Sequence, residues 1–195
     1  TVCFPEQFSL QVSRERLDFD LGGRQAPVMV PMRQVLQLAN PHSFKQYFQL
    51  YLPRSERFSL HARPQRGVVA PRATVNVAVT MTCKCTSAFD VDFIVIACPG
   101  GRREWENRAV EHFAVCINVC LESQLTTRLD SDELDLVTPA IGNGSFGVVY
   151  KGGWRGQTVA VKVLNNQDRL QRDRAYRQDF LNEVAMLEKL RHPAI

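Results

Sequence analysis

Short apolar or alternating runs, separated by turn residues, occupy most of the chain. They include Val28-Met29-Val30, Val35-Leu36-Gln37-Leu38, Tyr47-Phe48-Gln49-Leu50-Tyr51-Leu52, Phe58-Ser59-Leu60, Val75-Asn76-Val77-Ala78-Val79 and Phe113-Ala114-Val115-Cys116-Ile117-Asn118-Val119. The longest apolar run, Phe93-Ile94-Val95-Ile96-Ala97-Cys98, reads as a buried strand. Breaks fall at Gly22-Gly23, Asn40-Pro41, Pro64, Pro71 and Pro99-Gly100-Gly101. Regularly spaced short strands with such punctuation predict an all-β sandwich over residues 1–122. No helix-period stretch of convincing length interrupts them. Residues 123–133 are polar and hydroxyl-rich, without apolar period, and read as a linker. The pattern then changes over 134–195 to strand, glycine loop, strand, turn, strand and helix.

Within that second segment, Leu136 to Ile141 and Val148-Val149-Tyr150 read as strands on either side of Gly142-Asn143-Gly144-Ser145-Phe146-Gly147. The glycines let backbone fold close over a ligand, because no Cβ intrudes. A G-x-G-x-x-G run alone is a weak signal, and a dinucleotide site would need a helix directly after it. Here β-branched residues and a turn at Gly152-Gly153 follow, which favours a hairpin. In the next strand Val159, Val161 and Val163 point one way, and Ala160 and Lys162 the other. From about Tyr176 to Arg191 the period is helical, with Leu190, Leu187, Phe180 and Val184 in one apolar arc. Glu183 falls inside that arc and Glu188 at its edge. An acid on a buried face needs a cation, and Lys162 is the candidate. The plainer alternatives are a ligand-free glycine turn, a solvent-facing Lys162 on an edge strand, and a Glu183 that bends to solvent. His192-Pro193 ends the helix.

Composition adjusts this picture little. The chain has 195 residues, enough for one large domain or two small ones, with 45% hydrophobic and 23% charged residues. The net charge of +4, from 24 basic and 20 acidic residues, is too small to argue for nucleic acid. Arg54, Arg57, His61, Arg63, Arg66 and Arg72 do cluster in one segment. That cluster is either a solvated sheet face or a site for an anion or acidic peptide. Six cysteines include Cys83-Lys84-Cys85 and Cys116…Cys120, whose spacing is poor for metal, so no metal site is expected. Reduced, mostly buried thiols in a cytoplasmic protein are the expectation. No stretch approaches the roughly 20 apolar residues of a membrane span. The chain begins at Thr1 rather than Met, which leaves an upstream leader or membrane segment open.

Gly142-Asn143-Gly144-Ser145-Phe146-Gly147-Val148-Val149 followed by Val159-Ala160-Val161-Lys162 resembles the start of a protein kinase domain. Glu133-Leu134-Asp135-Leu136, Gly152-Gly153-Trp154-Arg155-Gly156, Phe180-Leu181-Asn182-Glu183-Val184 and Leu190-Arg191-His192-Pro193 are most similar to the tyrosine-kinase-like group. The resemblance implies an α+β N-terminal lobe, an antiparallel sheet plus the αC helix. It implies that residues 142–147 cover the phosphates of ATP and that Ile141, Val149 and Ala160 line its adenine slot. Lys162 would reach the α- and β-phosphates and pair with Glu183 as the catalytic lysine and its glutamate. The implied cofactors are ATP and Mg²⁺, and the implied reaction is γ-phosphoryl transfer to a protein hydroxyl, Ser or Thr in many members of the group. The sequence contains no His-Arg-Asp and no Asp-Phe-Gly, so the magnesium ligands and base are expected outside it. The chain reads as an inactive fragment of a longer kinase.

Leu17-Asp18-Phe19, Leu38-Ala39-Asn40-Pro41, Phe58-Ser59-Leu60-His61-Ala62-Arg63-Pro64 and Gly67-Val68-Val69-Ala70-Pro71 resemble the major sperm protein domain and its immunoglobulin-like relatives. That resemblance implies an interaction module with a peptide or protein partner. The competing reading of the whole is a pseudokinase, scaffold or peptide-binding adaptor acting through the sandwich.

Overall fold

A computed structural model of the chain describes residues 9–20, 24–107, 109–144 and 146–189. The expected break at Gly22-Gly23 lies outside the described residues. The chain divides into two compact units, 1–129 and 130–195.

The first unit is a β-sandwich of the immunoglobulin-like kind. Its strands are β1 (Gln11–Val12), β2 (Arg16–Asp18), β3 (Met32–Ala39), β4 (Gln46–Tyr51), β5 (Phe58–Arg63), β6 (Arg66–Val69), β7 (Thr74–Cys83), β8 (Ala88–Pro99) and β9 (Phe113–Glu122). One sheet has the order β1-β3-β7-β5 and the other β2-β9-β8-β4-β6. Alternation decides which side chains enter the core. In β7, Val77, Val79, Met81 and Cys83 point inward and are buried, while Asn76, Ala78, Thr80 and Thr82 face out. Phe48, Phe93, Leu17 and Leu36 are fully buried between the sheets. A single helical turn, α1 (Arg102–Trp105), interrupts the strands.

The Asn40-Pro41 corner works through the asparagine. Asn40 is 2% exposed. Its amide donates to the carbonyls of Phe44 (2.8 Å), Val69 (3.1 Å) and Ala70 (3.1 Å), and its oxygen accepts from the His42 N–H (3.0 Å). One buried side chain thereby ties the end of β3 to the end of β6, with its polar atoms satisfied.

Two expectations fail here. Val28-Met29-Val30 is a turn rather than a strand, with Met29 at φ 65°. Three apolar residues alone do not distinguish a strand from an exposed turn, and here Met29 is 53% and Val30 47% exposed. The thiols are not all reduced: Cys83, Cys85, Cys98 and Cys120 are free and buried, but Cys116 is disulfide-bonded. Residues 123–128 continue to bond to the sandwich. The Ser123 hydroxyl accepts from Ser87 N–H (2.8 Å), Gln124 N–H donates to Ala26 O (2.8 Å) and Thr86 N–H donates to Arg128 O (2.6 Å).

The second unit opens with a 3-10 turn at Ser131–Glu133. Three antiparallel strands follow in the order β10-β11-β12: β10 (Leu134–Asn143), β11 (Gly147–Trp154) and β12 (Gln157–Leu164). The two residues between β11 and β12, Arg155 and Gly156, both have positive φ (47° and 80°). That geometry matches the right-handed twist of a tight hairpin. Glu133 holds this turn, accepting from Trp154 Nε1 (3.1 Å) and from two nitrogens of Arg155 (2.7 and 2.9 Å).

Two helices complete the unit: α2 (Gln167–Arg172), which the sequence pattern did not suggest, and α3 (Arg174–Lys189). Asn166 caps α2 by accepting from Arg169 N–H (3.2 Å), and Asp173 accepts from Tyr176 N–H (3.1 Å) at the start of α3. The inward stripe of α3 is Tyr176, Phe180, Glu183 and Val184. Leu187, expected in the same arc, is 52% exposed. Among the described residues of α3 none is fully buried, so the stripe ends before the helix does. Leu190, Arg191 and His192-Pro193 lie outside the described residues. Among the described residues no helix is long and apolar enough to cross a membrane.

Candidate functional site

Strand register builds one row across the second unit. Gly142 of β10 stands opposite Val149 of β11, and Val149 stands opposite Lys162 of β12. Paired residues of neighbouring strands share a face, so Lys162, Val149 and Gly142 lie on one side of the sheet. Ala160 lies on that side two residues before Lys162, opposite Lys151. Ala160 is exposed and Ile141 is 63% exposed, so this end of the face is open.

The Lys162 ammonium meets the Glu183 carboxylate of α3, with Nζ to Oε1 at 2.6 Å. Their side chains are 28% and 35% exposed. The glycine loop crosses directly over the end of the lysine. A Cβ built on Gly144 would stand 3.2 Å from Lys162 Cε and 3.3 Å from Nζ. Gly144 N–H donates to Gly147 O (2.8 Å), which closes the neck of the loop. At Gly147 a Cβ would overlap the carbonyl oxygen of Val163, so close strand approach requires glycine there. Gly142 has only Val149 Cβ nearby, at 3.8 Å. Asn143 ends β10 opposite Val148 and is exposed. Ser145 lies outside the described residues.

Phe146 turns inward, which the pattern of residues did not indicate. Its ring centroid is 5.1 Å from that of Tyr176 and 6.3 Å from that of Phe180, and Lys162 Nζ lies 5.6 Å above it. The spacing of Tyr176 and Phe180, one helical turn apart, was the available signal for an aromatic seat on α3. The row therefore offers one cation, fixed by a carboxylate on one side and an aromatic face on another, beneath a glycine loop. Such a cation beneath exposed backbone suits a phosphate group. Among the described residues no group of three His, Cys, Asp or Glu side chains could hold a metal ion.

Residues 136–195 match the family model described as protein tyrosine and serine/threonine kinase. In sequence, element order and its lysine–glutamate pair, the second unit resembles the opening of a protein kinase domain. The Dictyostelium discoideum protein named "Probable serine/threonine-protein kinase gdt2" is 26% identical over 195 residues, which is 99% of this chain and 11% of that protein. The serine/threonine-protein kinase CTR1 of Arabidopsis thaliana is 42% identical over 73 residues, 34% of this chain and 8% of that protein. The chain thus spans about a tenth of the length of these curated relatives. Among solved structures, WR4, a C. elegans MSP family member, aligns with a TM-score of 0.44 at 9% identity, covering 60% of this chain and 100% of that one.

Proposed function

We propose that the second unit is the ATP-gripping part of the N-terminal lobe of a larger serine/threonine-type protein kinase of the tyrosine-kinase-like group, and that the sandwich is its interaction module. The observation that carries this reading is Lys162 Nζ held 2.6 Å from Glu183 directly beneath Gly144. A cation fixed in that way presents its charge to phosphate oxygens without first losing side-chain freedom.

Bound ATP, with Mg²⁺, would supply the transferable γ-phosphoryl group. This chain's own share is to hold it. The backbone of Gly142, Asn143, Gly144, Ser145, Phe146 and Gly147 closes over the phosphates, Lys162 grips them, and Ile141, Val149 and Ala160 flank the base. Glu183 keeps Lys162 aimed, and the link between β12 and α3 makes that aim depend on the helix. Transfer of phosphate is assigned to the whole protein, whose base and magnesium ligands would come from residues beyond this chain. The protein is placed in the cytoplasm on the same reading.

Binding of a fluorescent ATP analogue to the 195-residue chain, followed by anisotropy, tests this directly. Lys162→Met should weaken binding at least about tenfold, as expected for loss of a charge-assisted contact. Equal binding by the two proteins would remove the nucleotide assignment. In the complete gene product the same substitution should abolish phosphotransfer to protein.

A further inference from the structure

Among the described residues the strand β5 forms the edge of its sheet, pairing with β7 on one side only. Lys84 N–H donates to Arg57 O (2.8 Å), one step beyond the β5–β7 register. Antiparallel alternation then directs the backbone groups of Ser59, His61 and Arg63 toward β7. Those of Phe58, Leu60 and Ala62 point out of the sheet.

Two hollows run along this open edge, of about 470 and 310 Å³, and both include Arg54, Leu60 and His61. A third, of about 410 Å³, lies on the outer face around His61, with Arg33 and Arg63. Its floor is made by small side chains of β7. Register sets Thr80 between Arg33 and His61, and Ala78 between Val35 and Arg63. No Asp or Glu among the described residues lines any of the three hollows. Among the described residues neither Arg33 nor Arg63 has an ion-pair partner.

We infer that the open edge of β5 binds an extended peptide segment of a partner protein, carrying acidic residues at alternate positions, which joins the sheet as an additional strand. The edge supplies unpaired backbone groups to such a segment. Its side chains alternate between two faces. One set lies on the outer face beside His61, where carboxylates complement the guanidinium groups of Arg33 and Arg63. The other set faces the hollow beside the edge, where Leu52 stands among Gln49, Arg54 and Gln65, and Arg54 offers a further cation. A membrane surface or a free phosphate would use the cations but leave the edge groups unmet. This inference concerns the sandwich alone and stands whether or not Lys162 binds nucleotide.

The test uses the 195-residue chain and a short fluorescein-labelled peptide alternating glutamate and valine. The peptide should bind, and Arg63→Glu or Arg54→Glu should weaken it about tenfold or more, the scale of reversing one charge in an interface. N-methylation of the peptide amides that face β5 should abolish binding with the charges unchanged. A lysine-for-glutamate peptide should not bind. Failure of the parent peptide to bind would overturn the proposal. So would equal binding by the N-methylated peptide, wild-type affinity in both Arg variants, or capture only by phosphatidylserine vesicles. Nucleotide binding, measured on the same variants, should stay at the wild-type level.

Discussion

Lys162 and Glu183 are each about one-third exposed, so water screens their attraction and the pair adds only about 0.2–1 kcal/mol to stability. On the function proposed above, its value lies in aim. Glu183→Gln should therefore leave the thermal unfolding of the second unit nearly unchanged while weakening ATP-analogue binding several-fold, two readouts a purely structural pair would move together. The glycines of the loop separate in the same way. Gly147→Ala drives a methyl into the Val163 carbonyl and should destabilise the β11–β12 hairpin by about 1–3 kcal/mol, the usual scale of overpacking. Gly142→Ala meets nothing closer than 3.8 Å and should be close to neutral. Amide hydrogen exchange across β11 and β12 would distinguish the two. The lysine, the loop and the glutamate were legible as residues because three spaced glycines, a lysine closing a strand and an acid inside an apolar arc each stand out in the sequence. The inward turn of Phe146 was not, because its seat is built by Tyr176 and Phe180, some thirty residues further along the chain.

At the scale of elements, helix α3 depends on how it begins. The Tyr176 N–H bonded to the Asp173 carboxylate holds that group below the ordinary aspartate range, with Arg169 adding to the effect. A carboxyl whose folded pKa is depressed contributes its stabilisation above the unfolded value. That contribution is lost as pH falls through the folded one. Helical ellipticity should accordingly decline as the pH is taken below the ordinary aspartate value, about 3.9, and Asp173→Asn should remove that acid-dependent component. Long strands of the sandwich were readable from alternation, since β3, β7 and β9 each bury one face over eight residues or more. The two- and three-residue strands β1 and β2 are too short to show a period. They exist because longer neighbours offer them a ladder.

For the whole molecule, stability is unevenly shared. Every member of the buried apolar cluster lies in the first unit, whereas Leu136, Val137, Ile141, Leu181, Met186 and Leu187 of the second are exposed. Phe93→Ala should cost the sandwich about 3–5 kcal/mol, as for a large aromatic removed from a tight core. Limited proteolysis should cleave the second unit first and leave a resistant fragment ending near Leu129. A protease that degraded the sandwich first would contradict this distribution. The pairing of β2 with β9 has a further consequence. Leu17 reaches its neighbour Val119 in parallel across almost the full length of the first unit, and such distant partners slow chain closure. On a ribosome, the sandwich must wait for its ninth strand to emerge before its first strands can settle. The next segment is built of hairpins between successive strands and needs no such wait. Synthesis therefore delivers a slow-closing module first and a quick-forming one immediately behind it.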